Sequence, residues 1–207
     1  GLSEWFSQAR KYSCCPVVSP DLFVDLSLEG PGVWKFFRKS YRPLINKASS
    51  LWNVSVVETR NAIWEEFQAL HHEVAGRVTR CQESWDEHSD HLENGSAFLV
   101  TLREAENNPL VGAGLFHYTE SEGSYSVAAY KRELFDKPLG HLVQWQAMQT
   151  FISKKIRYYQ IGSMLFKNAV PVPTEKELSI SYFKSGFATH WMPRYSYELS
   201  FRGTLDD

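Results

Sequence analysis

The chain has 207 residues, of which 43% are hydrophobic and 14% aromatic, enough to close a sizeable core in one domain. A formal charge of -2 supplies no global field for gathering DNA or coating an anionic membrane, so any polyanionic partner must be met locally. Three cysteines (Cys14 and Cys15 adjacent, Cys81 apart) make no disulfide framework, and no apolar run approaches the ~18 residues of a membrane span, so the expectation is a cytoplasmic protein.

Residues 1–50 are read as an N-terminal extension. Its Pro16, Pro20, Gly30, Pro31, Gly32 and Pro43 punctuate a short strand at Leu22 to Leu26. A helix follows from Trp34 to Lys47, with Trp34, Phe37, Tyr41 and Leu44 on one face and Pro43 kinking or ending it. Lys35, Arg38, Lys39, Arg42 and Lys47 make its other face basic, which suits either plain solvation or a phosphate-bearing partner such as tRNA, a sugar nucleotide or coenzyme A.

From residue 51 to 207 the elements alternate regularly. Val54 to Val57 is β-branched and reads as a strand, and Asn61 caps a helix with Ile63, Phe67, Leu70 and Val74 at helical spacing. A more polar helix runs from Cys81 to Leu92. Ala97 to Leu102, Leu110 to Tyr118 and Tyr125 to Tyr130 then form an antiparallel meander punctuated by Asn94-Gly95, Asn107-Asn108-Pro109 and Glu122-Gly123. After Pro138-Leu139-Gly140, a central helix carries Leu142, Trp145, Met148 or Gln149, Ile152 and Ile156 as its buried stripe. A strand at Tyr158 to Gly162 precedes a helix opened by the Thr174/Glu177 capping box and stopped by Gly186, and Trp191 to Phe201 reads as a closing hairpin around Pro193-Arg194. The sum is an α/β (α+β) domain: a mixed, mostly antiparallel sheet flanked by helices.

Particular segments carry a resemblance. Asp25-Leu26-Ser27 with Arg38 to Ala48 resembles the stretch that leads into the second acyltransferase-like domain of FemAB-like aminoacyltransferases, within the GNAT acetyltransferase superfamily. Lys137 to His141 with Trp145 resembles the start of that family's central helix, Tyr159-Gln160-Ile161-Gly162 its Y-D/E-L/I-G strand, and Lys176 to Phe187 its most specific signature, which ends in FKxGFG. Gln160 stands where an acid is usual and Ala188 where the signature ends in glycine.

The resemblance implies transfer of an acyl or aminoacyl group to an amine. Such chemistry needs a donor carbonyl held in a gap between splayed strands, here Tyr125 to Tyr130 and Tyr158 to Gly162, and a donor or cation for the oxyanion. The resemblance gives Lys184 the oxyanion role, with Phe183 supporting it; by itself a lysine in a last helical turn is also what the helix dipole favours. His141 is a candidate base for the amine proton, or a helix-capping residue. Tyr130, Tyr159 and Gln160 are candidate liners of the acceptor pocket, or strand packing groups, and Arg38 and Arg42 are candidate contacts to a charged substrate. The expected acceptor is an amino sugar or peptide amine. A Gln/Arg-x-x-G-x-G/A turn is missing before the central helix, which disfavours acetyl-CoA; aminoacyl-tRNA fits better than acyl-CoA as donor. His71, His72, His88 and His91 match no zinc signature, and no metal is expected. A non-catalytic binding or assembly module on the same fold is the alternative reading.

Overall fold

The computed structural model describes residues 17–196, together with Glu4 and Ser7. Cys14, Cys15 and residues 197–201 of the expected hairpin lie outside them. The described strands are β1 (Val17–Asp25), β2 (Asn53–Val57), β3 (Ala97–Arg103), β4 (Gly112–Tyr118), β5 (Glu122–Tyr130), β6 (Tyr158–Ser163) and β7 (His190–Ser196). The helices are α1 (Glu29–Phe36), α2 (Tyr41–Leu51), α3 (Ala62–Ala75), α4 (Gln82–Glu93), α5 (Gly140–Ser153) and α6 (Glu175–Ser185).

All seven strands form one sheet in the order β2-β3-β4-β5-β6-β1-β7. Every neighbouring pair is antiparallel except β5 and β6, which run parallel and are joined only at Glu122, Gly123 and Ser124 against Tyr158, Tyr159 and Gln160. Beyond Ser124 the two strands part, and the gap opens toward their C-terminal ends. This is the mixed, mostly antiparallel sheet expected, with the meander β3-β4-β5 in place.

Alternation along the strands gives the sheet two apolar faces. On one, Phe98, Val100, Leu102, Tyr159, Ile161, Leu22 and Val24 pack against α1, α2 and α5. On the other, Ala97, Leu99, Ala113, Leu115, Val127 and Ala129 pack against Trp64, Phe67 and Leu70 of α3 and Trp85 and Leu92 of α4. Residues before position 50 take part fully: β1 lies between β6 and β7, and Val33, Phe37, Tyr41 and Ile45 sit in the larger core.

Local signals account for most boundaries. The Asn61 side chain accepts from the Ile63 amide at 2.9 Å, and Thr174 and Glu177 form the reciprocal capping box of α6. Three expectations are corrected. The single helix from Trp34 to Lys47 is two, broken where Phe37 adopts extended backbone, and Pro43 sits in the first turn of α2, where its missing N–H leaves no bond unmade. Pro193 and Arg194 are strand residues of β7 opposite Pro20 and Ser19, not a turn. The buried surface of α5 is wider than one stripe, because the helix is covered by the sheet on one side and by α1 and α2 on the other: Val143, Gln144, Ala147 and Phe151 are all fully buried.

Candidate active site

A bulge shapes the gap. Leu22 pairs with Gly162 and Phe23 with Gln160, so Ile161 is the extra residue and the register slips by one. The slip turns Gly162 to the side of Leu22, the face covered by α5 and α6. There the Lys184 side chain lies over it: a Cβ built on Gly162 would stand 2.8 Å from Lys184 Cδ and 2.7 Å from Nζ. Gly162 also has φ +147°, a conformation open to glycine, so the backbone and the lysine both require the missing side chain.

Lys184 Nζ sits 5.0 Å from the centroid of the Tyr125 ring, and no carboxylate pairs with it among the described residues. Burial lowers its affinity for a proton below the ordinary lysine value. Around it the gap is lined by phenols. The Tyr125 and Tyr130 hydroxyls are 3.3 Å apart, and the Tyr159 hydroxyl donates to Gln144 Oε1 at 2.5 Å. Burial pushes Tyr125 up to about 12 and raises Tyr130 and Tyr159 well above the usual phenol value, so all three stay neutral donors at physiological pH. Gln144 Nε2 is buried without a hydrogen-bond partner.

The remaining candidates take different places. Phe183 packs on the start of α5, its ring 3.2 Å from where a Gly140 Cβ would be, and 5.0 Å from the His141 ring. His141 is boxed by Tyr41, Phe183 and Phe187; burial, with Arg38 adding to it, pushes it down to about 4. It does not cap the helix, whose N-cap is Leu139. Gln160 points to the opposite face of the sheet from Lys184, with Phe23, and donates to Asp21 Oδ2 at 2.9 Å. Asp21 is 2% exposed and also holds Ser163 Oγ and Arg194 Nε, so the acid that Gln160 lacks is supplied from the neighbouring strand.

Arg38 and Arg42 are occupied within the fold. Arg38 lies 3.8 Å from the Tyr182 ring centroid, donates to the Tyr182 carbonyl at 3.0 Å, and meets the C-terminal end of α6. Its own amide donates to the Gly186 carbonyl, and the Tyr41 hydroxyl donates to the Phe183 carbonyl. Thus the segments Arg38 to Ala48 and Lys176 to Phe187, distant in sequence, clasp each other and set the end of α6 from which Lys184 projects. Arg42 donates to the Lys35 carbonyl, tying α2 to α1. Sequence reasoning missed Tyr41, Gln144 and Gly162; a glutamine between the apolar Val143 and Trp145 was the one visible signal for Gln144.

A seven-stranded sheet that splays between two parallel strands is a fold this chain shares with solved structures that include FemX and a tandem GNAT protein. Solved structures similar to it include L-PGS from Bacillus licheniformis, with 17% identity and a TM-score of 0.66 over 97% of this chain and 66% of that one. FemX gives 13% identity and a TM-score of 0.65 over 83% of this chain and 59% of that one. A tandem GNAT protein from the clavulanic acid biosynthesis pathway gives 10% and 0.51, over 94% and 58%. The chain therefore spans less than two thirds of the length of each of these proteins. No protein-family model and no curated protein matches the sequence. Among the described residues, no helix is long and apolar enough to cross a membrane.

Proposed function

We propose that this chain transfers an acyl or aminoacyl group to an amino group, with the donor carbonyl held in the gap between β5 and β6. The observation that carries this reading is Lys184: a half-buried ammonium without a carboxylate partner among the described residues, lying over Gly162 where the strands part. The amine nitrogen attacks the acyl carbon, the ester or thioester bond breaks, the proton shed by the nitrogen leaves with the departing alcohol or thiol, and the negative charge that develops on the carbonyl oxygen is met by Lys184 in a poorly hydrated site. Tyr125 and Tyr130, held neutral, offer further donors, and Phe183 and Tyr159 wall the acyl group. His141, pushed down to about 4, is a weak acceptor for an amine proton and acts in this scheme through packing.

The acceptor is an amino sugar or peptide amine, and the donor aminoacyl-tRNA in preference to acyl-CoA; the missing glycine-rich turn before α5 supports this ordering. Donor consumption and amide formation are to be followed with each donor class, for the native chain and Lys184→Ala. The expected result is turnover with one class, reduced roughly 100-fold or more in the variant. A second reading, a non-catalytic module, is favoured by one feature: the phenols are engaged within the fold, Tyr125 with Tyr130 and Tyr159 with Gln144. Absence of turnover and of donor binding in both proteins would overturn the transferase and leave this second reading.

A further inference from the structure

Five of the seven histidines gather at one place remote from the gap, on the other face of the sheet. His71 and His72 of α3 stand 5.1 and 6.1 Å from the Trp85 ring; His88 follows at 6.3 Å from Trp85, then His117 of β4 at 5.0 Å from His88, then His91 at 4.5 Å from His117. Polar satisfaction is poor here. Both ring nitrogens of His88, which is 8% exposed, are buried without a hydrogen-bond partner, as are His117 Nε2, His71 Nδ1, Trp85 Nε1 and Ser89 Oγ. Such atoms cost free energy when taken from water unpaired. Among the described residues no three His, Cys, Asp or Glu side chains are arranged to hold a metal ion.

The element most affected is α4. Only Trp85 and Leu92 bury apolar side chains on it, while His88 and Ser89 fill the rest of its inner surface. Its acids, Glu83, Asp86, Glu87, Asp90 and Glu93, all face solvent. The charges that reach the cluster are Arg80, before α4, which opposes a proton on His71 and His88, and Glu87, which offsets this in part at His88. From α3 and β4 the facing titratable groups are His71, His72 and His117 themselves, and the Arg60–Glu93 contact at 3.6 Å ties the far end of α4 to the loop before α3.

We propose that this cluster is an acid-sensitive latch: protonation of its histidines releases α4 from the sheet and uncovers the apolar face beneath it. Two charged imidazoles 5 Å apart with no buried carboxylate repel, and each loses hydration that the detached helix restores. Burial lowers His71 and His88 and pushes His117 down to about 4 from an ordinary 6.5. For a group lowered on folding, the open state takes the proton first, so the latch is closed above pH 6.5 and loosens progressively as pH falls toward 4. His117 by itself would shift the opening equilibrium about 20-fold between pH 7 and 5; partial exposure reduces this to about tenfold.

Native-state hydrogen exchange at pH 7 and pH 5 tests this, with α5 amides as the internal reference for intrinsic rates. The ratio of α4 to α5 opening should rise about tenfold or more at pH 5, and less in His117→Gln. An unchanged ratio would overturn the latch, as would an equal rise in the variant. Should the variant fail to fold, titration of the wild-type ring protons decides: His88 and His117 titrating below 6.5 together with α4 opening supports the latch, and ordinary titration with α4 still protected overturns it.

Discussion

In the proposed transfer, Lys184 is one side chain that serves a site at the expense of the fold. Its stem crosses Gly162 and its ammonium is withdrawn from water toward the Tyr125 ring, which returns part of the lost hydration as a cation–π contact but supplies no counter-charge. Lys184→Met keeps the stem and removes the charge. It is expected to raise stability in urea melts at pH 7 by about 1 kcal/mol while activity is lost, the exchange common at functional positions. The pH dependence follows from sign. Because the folded-state value lies below the ordinary 10.5, the native chain carries the cost in full below that folded value, and the cost fades as pH climbs toward 10.5. The variant's advantage should therefore shrink in alkaline melts. A variant less stable than the native chain at pH 7 would mean that the ammonium has a compensating partner.

Between elements, the decisive contact is the clasp of α2 and α6. Gly186 ends α6 in ordinary right-handed backbone (φ -70°), so its lack of a side chain is not a matter of conformation. The reason is Tyr41, whose ring carbon would lie 2.4 Å from a Cβ at that position. Gly186→Ala is expected to cost roughly 1–3 kcal/mol as overpacking. Chemical melts of Gly186→Ala, Tyr41→Ala and the double variant should return a coupling of about 1 kcal/mol, and strictly additive losses would rule out the clash. This also marks what could be read beforehand. Thr174, Glu177 and Asn61 act through neighbours within three residues, and their caps were legible, as was Gly186 as a stop. That Tyr41 is the cause, that Arg38 stacks on Tyr182 instead of facing a phosphate, and that Gln160 bonds Asp21 across 139 positions are long-range facts without a local pattern. The break at Phe37 was hidden for the opposite reason: Trp34, Phe37 and Tyr41 keep helical spacing because all three serve the same core.

At the scale of the molecule, the sheet consists of two antiparallel parts, β2-β3-β4-β5 and β6-β1-β7, held together by the three-residue pairing of β5 with β6 and by α5 lying across both. The gap exists because that pairing is short, so its opening is set by whatever fixes the joined end. Gly123 is the middle residue there, paired with Tyr159, and a Cβ on it would meet the Phe151 ring at 2.4 Å. Phe151 is fully buried among Phe98, Phe116 and Tyr159, so the ring has no room to retreat. Gly123→Ala must then move β5 relative to α5 and β6, shifting Tyr125 and Tyr130 against Lys184 although none of them is changed. The expected outcome is a loss of roughly 1–3 kcal/mol in stability, together with a fall in acyl transfer larger than that of Gly186→Ala at equal destabilisation. Assays well below both melting temperatures separate the two effects. Equal activity in the two variants would mean that the joined end does not set the geometry of the gap, and that α5 alone positions its walls.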